Sequence, residues 1–321
     1  MSFDTDGPSN LSTPKPAIVE EEEEDTQPTN NAEELLRYHH QFGHISFLKL
    51  QLMAKIGVLP RRLQNCPVPV CLAYLYAKAI KKQWRYRTAK NQAVPNKPTK
   101  PGHLVLVDQL VSPTPGLVAQ MTGILTTKRY KYATVYVDQV AKLSFTYLQK
   151  TATGEETIEG KESFERYALD IGVTIRAYHA DNGIFRANKW VANCFRKGQP
   201  LTFAGVNTHH QNGLVERKIK EIQELERTLL IHAAKQWPKC VTTNLWPYTI
   251  RMANNILNKT TSFQDDQRRT PQQVFSGSNV LMNTKHWKPF GYPVYVLENS
   301  LQTGHIHHKW TQISKVGIYL S

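Results

Sequence analysis

Three acidic side chains are marked out by their surroundings. Asp108 interrupts an apolar run over 103–111 that reads as a buried strand. A carboxylate there costs free energy unless it is paired or holds a cation. Asp181 follows a second apolar segment and precedes Asn182-Gly183, a turn pair that leaves the acid projecting from a strand end. Glu216 opens a long amphipathic helix, with 34 residues between it and Asp181. Three carboxylates from separate elements can hold two Mg²⁺ ions about 4 Å apart, stabilising both attacking and leaving oxygens in phosphoryl transfer. Hard oxygen donors suit Mg²⁺. Each acid also has a plainer use: Asp108 as a strand-end cap or salt-bridge partner, Asp181 as a turn residue, Glu216 as a first-turn carboxylate favoured by the helix dipole. Spacing alone does not decide between these. The three contexts together favour the metal.

The elements that must carry these acids are readable. Segments 103–111, 131–139 and 142–149 are rich in β-branched and aromatic residues and predict three successive strands. A helix over 154–172 follows, then strand over 173–183, a shorter helix near 187–198, strand over 201–206 and the long helix over 212–234. Three strands followed by alternating helices and strands predict an α/β domain with a mixed sheet. In the long helix, Ile219, Ile222, Leu225 and Leu229 form a core stripe. Glu216, Lys220, Gln223 and Arg227 fall on a roughly opposite face, which suits a nucleic-acid backbone beside a metal site. Residues 241–262 read as helical, and the tail from Thr270 as mainly short strands and turns. Upstream, 32–84 reads as helices, with Leu35, Phe42, Phe47, Leu50 and Met53 at helical spacings and Gly57 as a stop.

Charge is placed unevenly along the chain. Residues 1–34 hold ten acids against the single Lys15, a net of −9, while the remainder holds 39 basic and 16 acidic side chains, a net of +23. A region that basic attracts polyanions, nucleic acid foremost. Segment 1–31, with its acidic run over 20–25, lacks the apolar content to offset its ordering entropy and reads as a disordered arm. Docking of that arm on the chain's own basic groove is the alternative. Residues 85–101 read as a basic linker, and Trp84, among Lys81, Lys82, Arg85 and Arg87, could stack on a base. The other tryptophans read as core.

Several classes are excluded. No apolar run approaches the roughly 18 residues of a spanning helix, and the N-terminus lacks a basic start followed by an apolar stretch. Four cysteines, at 66, 71, 194 and 240, make no disulfide framework. Cys194 and Cys240 read as buried apolar residues. The expectation is a protein of a reducing compartment, neither secreted nor membrane-spanning.

The blocks that hold the acids, VDQLVSPTPG, YHADNG and THHQNGLVERKIKEIQE, resemble the integrase core of copia-type retrotransposons. LTTKRYKYATVYVDQ and TTNLWPYTIRMANNILN also resemble such elements, particularly those of diatoms and related algae. The likeness runs over about residues 35–321. It implies a ribonuclease-H-like core over 102–262, with a mixed five-stranded sheet flanked by helices. A small helical module over 32–84 precedes it, and a truncated β-rich piece over 263–321 follows. It further implies that Asp108, Asp181 and Glu216 are catalytic and hold Mg²⁺ or Mn²⁺. Asn182, Gln211 and Asn212 are then groups beside the metals or the DNA, and Lys218, Lys220 and Arg227 neutralise phosphates. His179, His209 and His210 flank the same blocks as DNA contacts or hydrogen-bonding partners.

The implied activity is DNA integration: trimming of element ends, then attack of a 3′-hydroxyl on target DNA. The implied partners are element ends and target DNA, with RNA as a further candidate and a homo-oligomer as the active form. The implied place is the nucleus or a cytoplasmic virus-like particle. Integrases of this kind belong to larger polyproteins, and the chain carries neither protease nor reverse-transcriptase blocks, which predicts a decayed or split element. Two rivals stand beside this reading: a nucleic-acid-binding remnant without activity, and a metal-dependent nuclease of the same fold.

Upstream, YHHQFGHISFLKL resembles the pre-integrase segment of that family, which binds Zn²⁺ through two histidines and two cysteines. His39 and His44 match the histidines. In PVCLAYLYAKA, Cys71 stands at the first cysteine but Tyr74 at the second. Tyrosine is a poor zinc ligand, so a four-ligand tetrahedral site would have to recruit Cys66. The plainer use of these residues is polar helix-face histidines and small core cysteines. His40, between the pair, is a surface candidate.

Overall fold

The computed structural model describes residues 28, 30–78, 98–118, 127–204, 212–262, 265–279, 287–298, 301 and 312–320. Residues 1–27 of the acidic arm and 79–97, which take in most of the basic linker, lie outside the described residues, as do Trp84, His209, His210, Gln211 and Trp310.

The chain opens with α1 (Asn31–Gln41), α2 (Phe47–Lys55), a 3₁₀ turn at Arg61–Leu63 and α3 (Leu72–Lys78). Asn30 caps α1, its side-chain oxygen accepting from the N–H groups of Ala32 and Glu33, and Ser46 caps α2 by accepting from that of Lys49. The core begins with a meander of β1 (Val105–Gly116), β2 (Tyr130–Asp138) and β3 (Ser144–Gln149). Then come α4 (Gly154–Asp170), β4 (Tyr178–Ala180), α5 (Asn188–Arg196), β5 (Leu201–Phe203), α6 (Gly213–Gln236) and α7 (Trp246–Lys259). The tail holds α8 (Pro271–Ser276) and the antiparallel pair β6 (Pro293–Leu297) and β7 (Ser314–Ile318). The main sheet has the order β3-β2-β1-β4-β5, with the meander antiparallel and β4 and β5 parallel to β1. This is a ribonuclease-H-like core with a mixed five-stranded sheet, as expected.

Two expectations are corrected. The strand expected over 173–183 shrinks to β4, because β1 and β5 each offer it only three partner residues. The tail does not begin with strands. Thr270 and Gln273 form a capping box, Pro271 sits in the first helical turn and Gly277 takes a left-handed conformation, so a short helix forms.

Strand alternation sorts the sheet into two faces. Val105, Val107, Tyr136, Tyr178 and Ala180 pack with Phe164, Trp190 and Cys194 of α4 and α5. Leu106, Leu110, Ala133, Val135 and Val137 pack on the other side with Ile222, Leu225 and Leu229 of α6 and Ile250, Ala253 and Ile256 of α7. That second core also takes in Leu35, Phe42, Leu50 and Met53, so the N-terminal helices and the sheet bury apolar surface together. Gly43 marks the closest approach. Its φ is +63°, and a Cβ there would collide with Cδ1 of Ile256 and lie 3.2 Å from Cδ2 of Leu229.

A buried polar network braces the opposite side. Lys161 of α4 is fully buried, its ammonium 2.7 Å from Glu165, 2.9 Å from Asn193 and 2.6 Å from Gln199. Glu165 in turn accepts from the Tyr178 hydroxyl at 2.9 Å. Removing Lys161 takes the ammonium donor from the side-chain oxygens of buried Asn193 and of Gln199, while Glu165 keeps Lys197, Gln199 and Tyr178. Lys161→Met is expected to lower stability by about 3 kcal/mol, measured by urea denaturation. Combined with Glu165→Gln, it should cost less than the two single losses added together.

Glu226, on α6, is pushed up to about 8 by burial, against the pull of the neighbouring Arg227. Its ordinary value is 4.5, so below that pH both folded and unfolded states hold the proton and nothing is lost. Between there and pH 8 the unfolded chain ionises more readily, which costs the fold up to about 1.4 kcal/mol per pH unit. Glu226→Gln should therefore raise the Tm at pH 8 and leave it unchanged at pH 4, as read by calorimetry.

Candidate functional site

The alternation that builds the core also aims the acids. Leu106 and Leu110 face α6, so Asp108, between them in β1 and opposite Val135, faces the same way. In β4, Tyr178 and Ala180 face α4 and α5, which turns His179 and then Asp181 toward α6. Leu106 pairs with His179 and Val107 with Ala180, so one further step in this parallel register sets Asp108 beside Asp181. Glu216 lies in the first turn of α6, exposed to solvent.

Electrostatics agree with this convergence. The Asp108 carboxyl is pushed up to about 6, first by burial and then by the negative charges of Asp181 and Glu216, while the N–H of Gln109, 2.8 Å from Oδ1, pulls the other way. Asp181 is partly buried, and its Oδ1 accepts from the N–H of Gly183 at 3.1 Å. Asn182 is exposed, yet its amide is engaged. Its Nδ2 donates to the carbonyl of Ala204 at 2.8 Å and ties the turn to the end of β5. Three hard oxygen donors, on β1, just past β4 and on α6, are near enough for the charges of Asp181 and Glu216 to act on Asp108, and a divalent cation would relieve that repulsion.

The expected phosphate contacts are placed unequally. Lys220 is exposed one turn beyond Glu216. Lys218 is mostly covered and pairs with Glu221 at 2.9 Å. Nη1 of Arg227 donates to the carbonyl of Ala77 at 3.0 Å, so this arginine holds the end of α3 against α6. Asn212 is buried, and its amide nitrogen and oxygen have no hydrogen-bond partner among the described residues. His179 pairs through Nδ1 with Oγ1 of Thr202 at 2.8 Å. Cys194 is buried as expected, but Cys240 is exposed, because it lies in the turn after α6.

A second cluster lies where the N-terminal helices meet α6. His39, His44 and Cys71 are all buried, and one candidate ligand atom from each lies within 4.8 Å of the others. Nδ1 of His39 is 2.8 Å from the carbonyl of Ile45, and Sγ of Cys71 is 3.4 Å from Nδ1 of His44. Burial holds His39 down at about 3 and His40 and His232 at about 4, and it keeps His44 well below its ordinary value. Neutral imidazoles of this kind keep a lone pair for a metal.

Cys66 does not join them. Its thiol is 3.7 Å from the carbonyl of Asn31 and 3.6 Å from that of Pro67. Nor is His40 a free surface group: it forms a second set with His44 and with His232 of α6. Sequence reasoning misses His232. Its one signal is an imidazole three residues after Leu229, at the edge of the apolar stripe of the helix.

No family model matches this chain. Over 139 residues it is 30% identical to the Retrovirus-related Pol polyprotein from transposon RE1 of Arabidopsis thaliana. The match covers 42% of this chain and 9% of that polyprotein. Similar solved structures include the HTLV-2 integrase catalytic core domain in complex with magnesium, in its trimeric form. That likeness has 19% identity and a TM-score of 0.39, and covers 56% of this chain and 99% of that one. Another is a simian T-cell lymphotropic virus intasome in complex with PP2A regulatory subunit B56 gamma, at 17% identity and a TM-score of 0.43, covering 81% and 82%.

Proposed function

We propose that this chain is the integrase portion of a copia-type retrotransposon polyprotein, which trims the 3′ ends of element DNA and joins them to target DNA. One observation carries the reading: Asp108 on β1 and Asp181 just past β4 lie at neighbouring positions of adjacent interior strands, and the charges of Asp181 and Glu216 both act on Asp108, although the three are far apart in sequence. Mg²⁺ or Mn²⁺ bound there supplies Lewis-acid stabilisation of the attacking and leaving oxygens. The chain's own part is to set the geometry. Asp108 sits in the central strand, and Asp181 is fixed by a turn that Asn182 pins to β5. Glu216 comes from a long helix anchored in the core, and Lys220 on its exposed face is positioned to meet a phosphate. His39, His44 and Cys71 give the upstream module three donors that fit Zn²⁺, with soft and borderline ligands and unpartnered buried nitrogens. The proposed partners are element ends and target DNA, bound by an oligomer in the nucleus or a virus-like particle.

The test is a strand-transfer assay with the element's terminal DNA and Mg²⁺. Joined products support integration. Nicking without joining supports a nuclease of the same fold, and binding without either supports an inactive remnant.

A further inference from the structure

We propose that His40, His44 and His232 form a second seat for a divalent transition-metal ion, Zn²⁺ foremost, in which the ion fastens the N-terminal helices to α6. This all-imidazole seat shares only His44 with the set of His39, His44 and Cys71, and it does not depend on the zinc reading of that set.

Distant parts of the chain supply the three rings. His40 lies in the last turn of α1, His44 follows the Gly43 turn that closes that helix, and His232 lies in α6, three residues beyond Leu229. One candidate ligand nitrogen from each lies within 4.8 Å of the other two. Ring centres are 5.0 Å apart for His40 and His44, and 4.6 Å apart both for His40 and His232 and for His44 and His232. Three imidazoles on one tetrahedral ion, with Zn–N near 2.0 Å, set their ring centres about 5 Å apart. The rings already stand at the spacing of a ligated trio.

Two further observations mark the place. Nε2 of His44 and of His232 are buried without a hydrogen-bond partner among the described residues, and His44 is only 1% exposed. Buried polar nitrogens are seldom left so. His44 also holds a left-handed backbone, with φ +61°, a conformation uncommon outside glycine and kept where the surroundings over-determine it. That turn sets its ring against both His40 and His232. With no carboxylate in the set, Mg²⁺ is disfavoured, whereas imidazole suits Zn²⁺, Ni²⁺ and Cu²⁺. A neutral imidazole carries one free lone pair, so His44 serves one seat at a time. The ion is therefore shared between the imidazoles and the thiolate set, in which Sγ of Cys71 lies 3.4 Å from Nδ1 of His44. On the thiolate set it braces the module alone. On the imidazoles it reaches the helix that carries Glu216.

The experiment uses the full chain, stripped of metal with a chelator and titrated with Co²⁺, whose absorption reads coordination, and with Zn²⁺ against a chromophoric competitor. The parent is expected to bind one ion per chain, with a thiolate charge-transfer band weaker per bound Co²⁺ than in His232→Asn, where the thiolate seat alone remains. Cys71→Ser should still bind one ion, without that band, and Zn²⁺ should raise its Tm, because only the folded chain assembles the seat. Adding His232→Asn to Cys71→Ser should weaken the metal by about 100-fold or more, with circular dichroism in chelator unchanged. Adding His232→Cys instead should keep the ion and bring a thiolate band back, a gain that a folding defect would not produce. A Cys71→Ser variant that binds no metal overturns the seat, as does one whose affinity is indifferent to His232→Asn. If Cys71→Ser binds but neither the parent nor His232→Asn shows a thiolate band, the zinc reading of the cysteine set falls and this seat stands. A parent that binds neither ion overturns both.

Discussion

Asp181→Asn should lower both end processing and strand transfer by about 1,000-fold or more, because a charged ligand worth several kcal/mol of transition-state stabilisation is lost. The exchange keeps the shape of the side chain, and the oxygen that accepts from Gly183 can still do so, so the turn after β4 survives. The Tm should be unchanged or raised, since removing one of three mutually repelling acids relieves the field on Asp108. DNA affinity without divalent metal should stay at the parental level. Activity is read from joined and nicked products in single-turnover assays. A variant that joins or nicks DNA at the parental rate would overturn the assignment of the three carboxylates.

The second large effect concerns salt. With a net charge of +23 after residue 34, affinity for double-stranded DNA should fall by about 1,000-fold or more as salt rises from about 50 to about 200 mM, through counterion release. Removing residues 1–31, which hold eight of the ten N-terminal acids, should tighten binding most at low salt. Fluorescence anisotropy with an arbitrary duplex gives both slopes. An affinity indifferent to salt would sink the electrostatic surface.

Much of the fold and of the carboxylate site is legible in the sequence, and the reasons are physical. The two carboxylates on strands betray themselves because period-2 alternation makes an acid in an apolar run conspicuous, and Asn182-Gly183 fixes where the second strand must stop. The core stripe of α6 is readable from helical periodicity. What stays hidden depends on contacts between distant segments. Nothing local says that Arg227 is tied to Ala77 or that Lys218 is covered and bound to Glu221. His232 is invisible as a candidate ligand because its companions lie about 190 residues earlier, with no spacing rule to connect them. The helix α8 escapes for another reason: its capping box is present in Thr270 and Gln273, but a six-residue helix is too short to show periodicity.

The joint core of the N-terminal helices and the sheet has a consequence for synthesis on the ribosome. Ala77 and its partner Arg227 are separated by 150 positions. At about 5–20 residues per second, that interval takes roughly 8–30 s. Throughout it, Leu35, Phe42, Phe47, Leu50 and Met53 have emerged while Leu229 and Ile256, against which the module packs at Gly43, have not yet been made. The nascent segment must wait with apolar surface uncovered, and closing so long a loop is slow once its partner arrives. Release from the ribosome before α7 is complete leaves that surface open to other chains. Production of this protein is therefore most sensitive to the few residues of α6 and α7 translated last against the module, and co-expressed chaperones should raise its soluble yield more than lowering inducer does.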